Sequence, residues 1–168
     1  SVDRGEPAEF GLSQVKVIND YEAQALGLPF LPQSVLTQIG GQPADPLGPR
    51  VILGPGTGLG IGALIHDKGH YAAVQGEGGH ISFAPQDAFE AELLARYWRE
   101  HHRISAERLL AGFGLEALYR LMNPDLEPLK ASAIAEQALS EPASPARRVA
   151  LRYLRMLGSY MGDLCLIF

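Results

Sequence analysis

Two periods of apolar and polar residues divide the chain. Gln14-Val15-Lys16-Val17-Ile18 alternates polar and apolar side chains, the period of a half-buried strand. It delivers Asn19-Asp20 at its C-terminal end, and a helix is expected from Tyr21 to about Leu26. Residues 1–13, with Gly5, Pro7 and Gly11, read as a loop. Pro29, Pro32, Pro43, Pro46 and Pro49 mark residues 28–49 as an irregular linker. Beyond it, Arg50-Val51-Ile52-Leu53 reads as a strand that runs into the glycine-rich corner Gly54 to Gly62. Ala63–His66 and Tyr71–Val74 flank Asp67-Lys68-Gly69, a good hairpin turn, so residues 50–75 predict a three-stranded antiparallel meander.

After Pro85 the period lengthens to that of helices. From about Asp87, the residues Phe89, Leu93, Leu94, Tyr97 and Trp98 fall on one face and read as core. Glu92 and Arg96 are spaced for an i,i+4 ion pair on the other face. His101-His102-Arg103 reads as a solvated turn. Gly112 and Gly114 precede a helix from Leu115 to Met122, which Asn123-Pro124 stops, and another helix spans about Lys130 to Leu139. Ser144-Pro145 is a start signal, with Ser as N-cap and Pro in the first turn. The long helix that follows is expected to turn Ala150, Tyr153, Leu154, Leu157, Met161 and Leu164 inward, with Arg148, Arg152 and Arg155 on a solvated face.

The 168 residues are 46% hydrophobic and 20% charged, which suits one globular domain or two small lobes. A net charge of −5 argues against nucleic acid or an anionic membrane as the main partner. Cys165 is the single cysteine, so neither an intramolecular disulfide nor a cysteine-based zinc site is open to the chain. A reducing cytoplasm fits that usage, with Cys165 read as a small buried hydrophobe. Arg152, Arg155 and Asp163 interrupt the most apolar segment, which excludes it as a membrane span.

The candidate chemistry sits at the joints. Gly76-Glu77-Gly78-Gly79-His80 packs three glycines around one carboxylate and one imidazole, a polar clamp suited to a hydroxyl-rich ligand. By itself it also reads as a solvent-facing turn. Asp20 stands where α/β folds gather catalytic groups, and it also suits a helix cap. Glu107, in Ser105-Ala106-Glu107-Arg108, is either a first-turn carboxylate favoured by the helix dipole or a ligand contact. Gly58-Leu59-Gly60-Ile61-Gly62-Ala63 matches the dinucleotide fingerprint, but no room for a crossover helix follows it. A phosphate cradle of backbone N–H groups with the Thr57 hydroxyl fits that corner instead.

Taken in order, Ile18-Asn19-Asp20, Gly54-Pro55-Gly56-Thr57-Gly58-Leu59-Gly60, Gly76-Glu77-Gly78-Gly79-His80 and Ser105-Ala106-Glu107-Arg108 resemble bacterial ATP-dependent glucokinases. The run Gly76 to Pro85 is especially similar to that family, part of the hexokinase-like, actin-like ATPase superfamily. The resemblance implies an α/β fold of α+β character, a partial actin-like, ribonuclease H-like fold with its meander packed against helices. It implies Asp20 as the base for the glucose 6-hydroxyl and Asn19, Glu77, His80 and Glu107 as partners of the other hydroxyls. Gly56, Thr57 and Gly58 would lie against the phosphates of ATP, whose own oxygens would carry Mg²⁺. Residues 1–27 would end a small lobe, 28–49 link, and 50–168 belong to a larger lobe.

The resemblance also sets departures. The family's N-terminal phosphate loop would lie before Ser1 and its adenosine segment after Phe168, so the sequence is expected to be a piece of a longer protein. Ala111-Gly112-Phe113-Gly114 replaces the more usual Ser-Gly-Pro-Gly. An exposed apolar face would follow, open to association, with a homodimer as one form it could take. The rival reading, of a different class, is a non-catalytic sugar-binding module on the same scaffold.

Overall fold

The computed structural model describes residue 11, residues 17–42 and residues 45–168. Residues 14–16 of the expected first strand lie outside the described residues, and Val17 to Asn19 carry no regular structure. Among the described residues the fold is mixed α/β, with one three-stranded sheet and six α-helices. Helix α1 spans Asp20–Gly27, and short 3₁₀ turns at Leu28–Phe30 and Gln33–Val35 begin the irregular excursion expected before residue 50.

The meander forms as its pattern predicts. Strands β1 (Arg50–Pro55), β2 (Leu59–Asp67) and β3 (His70–Val74) lie side by side in that order, antiparallel throughout. Asp67 pairs with His70, so the turn is the dipeptide Lys68-Gly69, with φ of 48° and 85°. Those values are left-handed, which glycine adopts freely and which matches the twist of the flanking strands. At the other corner Gly54 pairs with Gly60 and Pro55 with Leu59, leaving Gly56-Thr57-Gly58 as the connection. β2 continues as strand to Asp67, so no helix begins at the dinucleotide-like fingerprint.

Helices α2 (Ala88–Tyr97), α3 (Ala106–Leu110), α4 (Gly112–Met122), α5 (Ala131–Ser140) and α6 (Pro145–Cys165) build the core. Leu110, Ile134, Val149 and Met156 are fully buried within it. Each such side chain contributes roughly 1.5–3 kcal/mol of transfer free energy. Ser144 caps α6 by accepting from the Arg147 N–H at 3.1 Å, ahead of Pro145. Helix α4 starts earlier than its apolar period predicts. Gly112 and Gly114 lie inside its first turns because Gly112 donates its N–H to the Gly56 carbonyl at 2.9 Å.

Four expectations are corrected by packing. Trp98 is 58% exposed and lies off the core, which α2 meets through buried Leu93 and Leu94 and half-buried Phe89 and Tyr97. Helix α6 is rotated from its expected phase. Ala146, Val149, Tyr153, Met156, Tyr160 and Leu164 are buried, whereas Leu154 and Met161 face out. Arg152 is not on a solvated face. Its guanidinium grips the Asp87 carboxylate with two hydrogen bonds of 2.6 Å, and Glu90 lies 3.9 Å away. Cys165, expected to be buried, is exposed one residue after the last buried position of α6.

Candidate functional site

Helix α1 is set by Asn19, not by Asp20. The Asn19 side-chain oxygen accepts from the backbone N–H of Tyr21 at 2.8 Å and of Glu22 at 3.4 Å, which makes it the N-cap. Asp20 is therefore the first helical residue, and its Oδ1 accepts from the same Tyr21 N–H at 2.9 Å. A carboxylate in the first helical turn also meets the positive end of the helix dipole. The helix lies across the meander, where buried Glu22 accepts from the Gln75 side chain.

The clamp follows β3 directly. Gly78–His80 forms a single 3₁₀ turn, and Gly79 is buried so closely that a Cβ there would stand 2.2 Å from the Leu59 carbonyl oxygen. That approach explains a glycine at position 79 on steric grounds alone. The next residues are tied to the entry of α3. Ser82 bridges Ser105, Phe83 donates to the Ile104 carbonyl at 3.1 Å, and Ala106 donates to the Ile81 carbonyl at 2.8 Å. This pairing carries Glu107 to the clamp from about thirty residues away along the chain.

Glu107 divides its two oxygens. Oε2 accepts from the Leu59 N–H at 3.0 Å, and Oε1 lies 4.0 Å from His80 Nδ1. The His80 Nε2 in turn lies 4.0 Å from Glu77 Oε2. One imidazole thus stands between two carboxylates, each beyond direct hydrogen-bond length but near enough for a hydroxyl to bridge. Glu107 is thus a first-turn carboxylate of α3 that also neighbours the clamp.

Asn19, Asp20, Gly56, Thr57, Gly58, Glu77 and Glu107 all line one open cleft of about 290 Å³. His80 is not among its walls but stands 4.0 Å from both carboxylates. Among the described residues no lysine or arginine lines this cleft. Its polar side chains are mostly acceptors, which suits a neutral ligand rich in hydroxyl donors. On its other side the corner offers donors. The N–H groups of Thr57 and Gly58 donate to no backbone carbonyl among the described residues, and nothing lies within 4 Å of the place a Cβ would take on Gly56. Backbone N–H groups without a carbonyl partner in a glycine-rich connection fit phosphate oxygens.

Three residues of the site carry no signal of their own in the sequence. Tyr21 lines the cleft, Arg103 donates to the His80 carbonyl at 2.8 Å, and Tyr160 donates to the Gly78 carbonyl at 2.5 Å. Arg103 is thus part of the support of the clamp and not simply a solvated turn residue. Each acts on a partner distant in sequence, which periodicity does not reveal.

A family model described as Glucokinase matches residues 5–168. The glucokinase of Chelativorans sp. (strain BNC1) is 38% identical over 172 residues, a match covering 96% of this chain and 48% of that protein. The crystal structure of a glucokinase from an Antarctic psychrotroph superimposes with a TM-score of 0.83 at 31% identity, over 96% of this chain and 51% of that one. A glucokinase from Balamuthia mandrillaris, crystallised in complex with glucose, matches with a TM-score of 0.60 at 27% identity, over 70% of this chain and 36% of that one. The chain spans about half the length of the curated relatives it matches.

Proposed function

The chain belongs to the glucokinase family, and from that premise we propose that it supplies the sugar-holding side of a kinase that phosphorylates the 6-hydroxyl of glucose from ATP. The observation that carries this reading is the convergence of Asn19, Asp20, Glu77 and Glu107 with Gly56-Thr57-Gly58 on one cleft. In this reading residues 1–27 end a small lobe, 28–49 link, and 50–168 form part of the larger lobe.

Asp20 is the general base. Its carboxylate takes the proton of the 6-hydroxyl while that oxygen forms its bond to the γ-phosphorus, and the bond from the γ-phosphorus to the bridging oxygen breaks to release ADP. Asn19, Glu77, His80 and Glu107 hold the remaining hydroxyls. A sugar that leaves any of these acceptors unpaired is disfavoured, which is the source of selectivity. The N–H groups of Thr57 and Gly58, with the Thr57 hydroxyl, hold phosphate oxygens of the donor. The charge on the donor calls for a cation that travels with it. Mg²⁺ bound to ATP supplies that charge.

Replacing Asp20 in the whole enzyme tests the reading. Asp20→Asn should lower turnover by about 10²–10⁴-fold, the usual contribution of a positioned base, with the glucose affinity little changed. Retained turnover would refute the assignment. Glucose-selective binding in an enzyme that turns over no sugar even with Asp20 in place would favour the non-catalytic sugar-binding module.

A further inference from the structure

Tyr21 is held by a slot that the sequence builds from both strands of the glycine-rich corner. Gly54 and Gly60 face each other across β1 and β2. A Cβ on Gly60 would stand 1.7 Å from the Tyr21 ring, and one on Gly54 would stand 2.1 Å from its hydroxyl oxygen. No other residue type leaves room for the phenol at either position. The hydroxyl then donates to the Gly54 carbonyl at 2.8 Å, a contact between residues 33 apart in sequence. Two of the corner's glycines therefore serve a side chain of the protein and not a bound phosphate.

The placement of this slot gives it meaning. Gly54 and Gly60 bracket Gly56-Thr57-Gly58, so the phenol is hydrogen-bonded at one end of the proposed phosphate-facing connection and packed against the other. At its other end Tyr21 is bonded to the residue before it, through its N–H to Asp20 Oδ1, and to Asn19 Oδ1. A rigid ring with two rotatable bonds thus spans from the proposed base to the foot of the proposed phosphate loop.

We propose that Tyr21 is a positioning residue that fixes the Asp20 carboxylate relative to the Gly56–Gly58 loop, an inference that rests on the kinase reading above. Transfer between two bound substrates depends steeply on their alignment, and a displacement of about 1 Å can cost on the order of 10²-fold in rate. The Tyr21 side chain touches neither reacting atom in this scheme. It sets where the base stands when the donor is in the loop.

The first arm of the test uses the whole enzyme. Tyr21→Phe keeps the ring in its slot but loses the hydroxyl tie, and should lower kcat by about 2- to 10-fold, the range of one hydrogen bond, with the glucose KM within about twofold. Tyr21→Ala should lower kcat by about 10²-fold. Gly60→Ala should do the same by expelling the ring, yet add little when combined with Tyr21→Ala, because the slot is then empty. A Tyr21→Phe enzyme with a lower melting temperature but unaltered kcat would reduce Tyr21 to a structural role and overturn the proposal.

The second arm does not depend on activity. Amide hydrogen exchange in the 168-residue chain should speed up in residues 54–60 on Tyr21→Phe, while residues 131–140 of α5 exchange as before. Unchanged exchange in the corner would overturn the tie itself. Faster corner exchange in an enzyme whose wild type phosphorylates no hexose would support the tie and refute the kinase reading.

Discussion

Tyr160, far along α6, donates its hydroxyl to the carbonyl of Gly78, 82 residues earlier, at 2.5 Å. The longest helix of the fold therefore ends a hydrogen bond inside the glycine clamp. Tyr160 is 4% exposed, so the bond is sheltered from water by the core around it. Tyr160→Phe would leave the Gly78 carbonyl without this donor. We expect a loss of about 0.5–1.5 kcal/mol in unfolding free energy, the net contribution of one hydrogen bond. Urea denaturation measures it. Glucose binding should weaken as well, since Glu77 and His80 flank the loosened carbonyl, and calorimetry reads that second effect.

Alkali should attack the same packing. Burial pushes the Tyr160 hydroxyl up to about 12, with the Asp163 carboxylate adding to the rise, and burial pushes Tyr153 up to about 12 also. In the unfolded chain both would ionise near 10.0. A folded value above the unfolded one means stability that is fully present below pH 10 and is lost as pH rises toward 12. Unfolding free energy measured through this window should fall, with up to one proton per tyrosine in the slope. Tyr153 donates to the Leu110 carbonyl at 2.6 Å. Tyr153→Phe should lower stability at neutral pH and make the alkaline decline shallower, and an unchanged slope would remove Tyr153 from the account.

Where the sequence speaks for itself, it does so through local chemistry. Lys68-Gly69 and Ser144-Pro145 carry their own turn and cap, so the hairpin and the start of α6 were legible before any packing was known. The clamp and the corner were visible as clusters of glycine. Their purpose was only half visible, because Gly54 and Gly60 admit a tyrosine that lies elsewhere in the chain. The phase of α6 was not legible. Apolar residues occupy two of its faces, with Val149 and Met156 buried and Leu151 and Leu154 exposed, and periodicity does not say which face meets the core. Arg152 was misread for the same reason, since its partner Asp87 is the N-cap of another helix.

That pair makes an acid-side prediction. The hydrogen bonds from Arg152 hold the Asp87 carboxyl below its usual value of 3.8, helped by the Glu90 N–H and the charges of Arg152 and Arg155, against the opposing effect of burial. A lowered folded value means stability that is present above the unfolded value and lost as pH falls through the folded one. Arg152→Leu removes the cation from Asp87 and from Glu90, a carboxylate only 1% exposed. The variant should melt several degrees lower at neutral pH, because a buried carboxylate loses its nearest cation. The gap to wild type should narrow as the pH drops below 3.8. Arg152→Lys should recover little, since a single ammonium does not reproduce the two parallel bonds to Asp87. A gap that widens in acid would refute this account.

Gly58 sits in the loop proposed to hold the donor phosphates, yet the first effect of changing it should fall on the proposed sugar site. A Cβ at Gly58 would stand 2.7 Å from Glu107 Oε2. The carboxylate must then swing away from the Leu59 N–H it now accepts at 3.0 Å. Its other oxygen, 4.0 Å from His80, moves with it and disturbs the acceptors proposed for the glucose hydroxyls. Gly58→Ala should therefore weaken glucose binding without nucleotide by about 10- to 100-fold, the range for one charge-assisted hydrogen bond. Gly56→Ala is the control, because nothing lies within 4 Å of its added methyl. It should leave the glucose affinity alone and raise the KM for ATP, since the methyl projects into the space proposed for phosphate. Calorimetry with glucose on both variants decides the matter. Equal glucose affinity in Gly58→Ala and wild type would show that Glu107 does not join the two halves of the cleft.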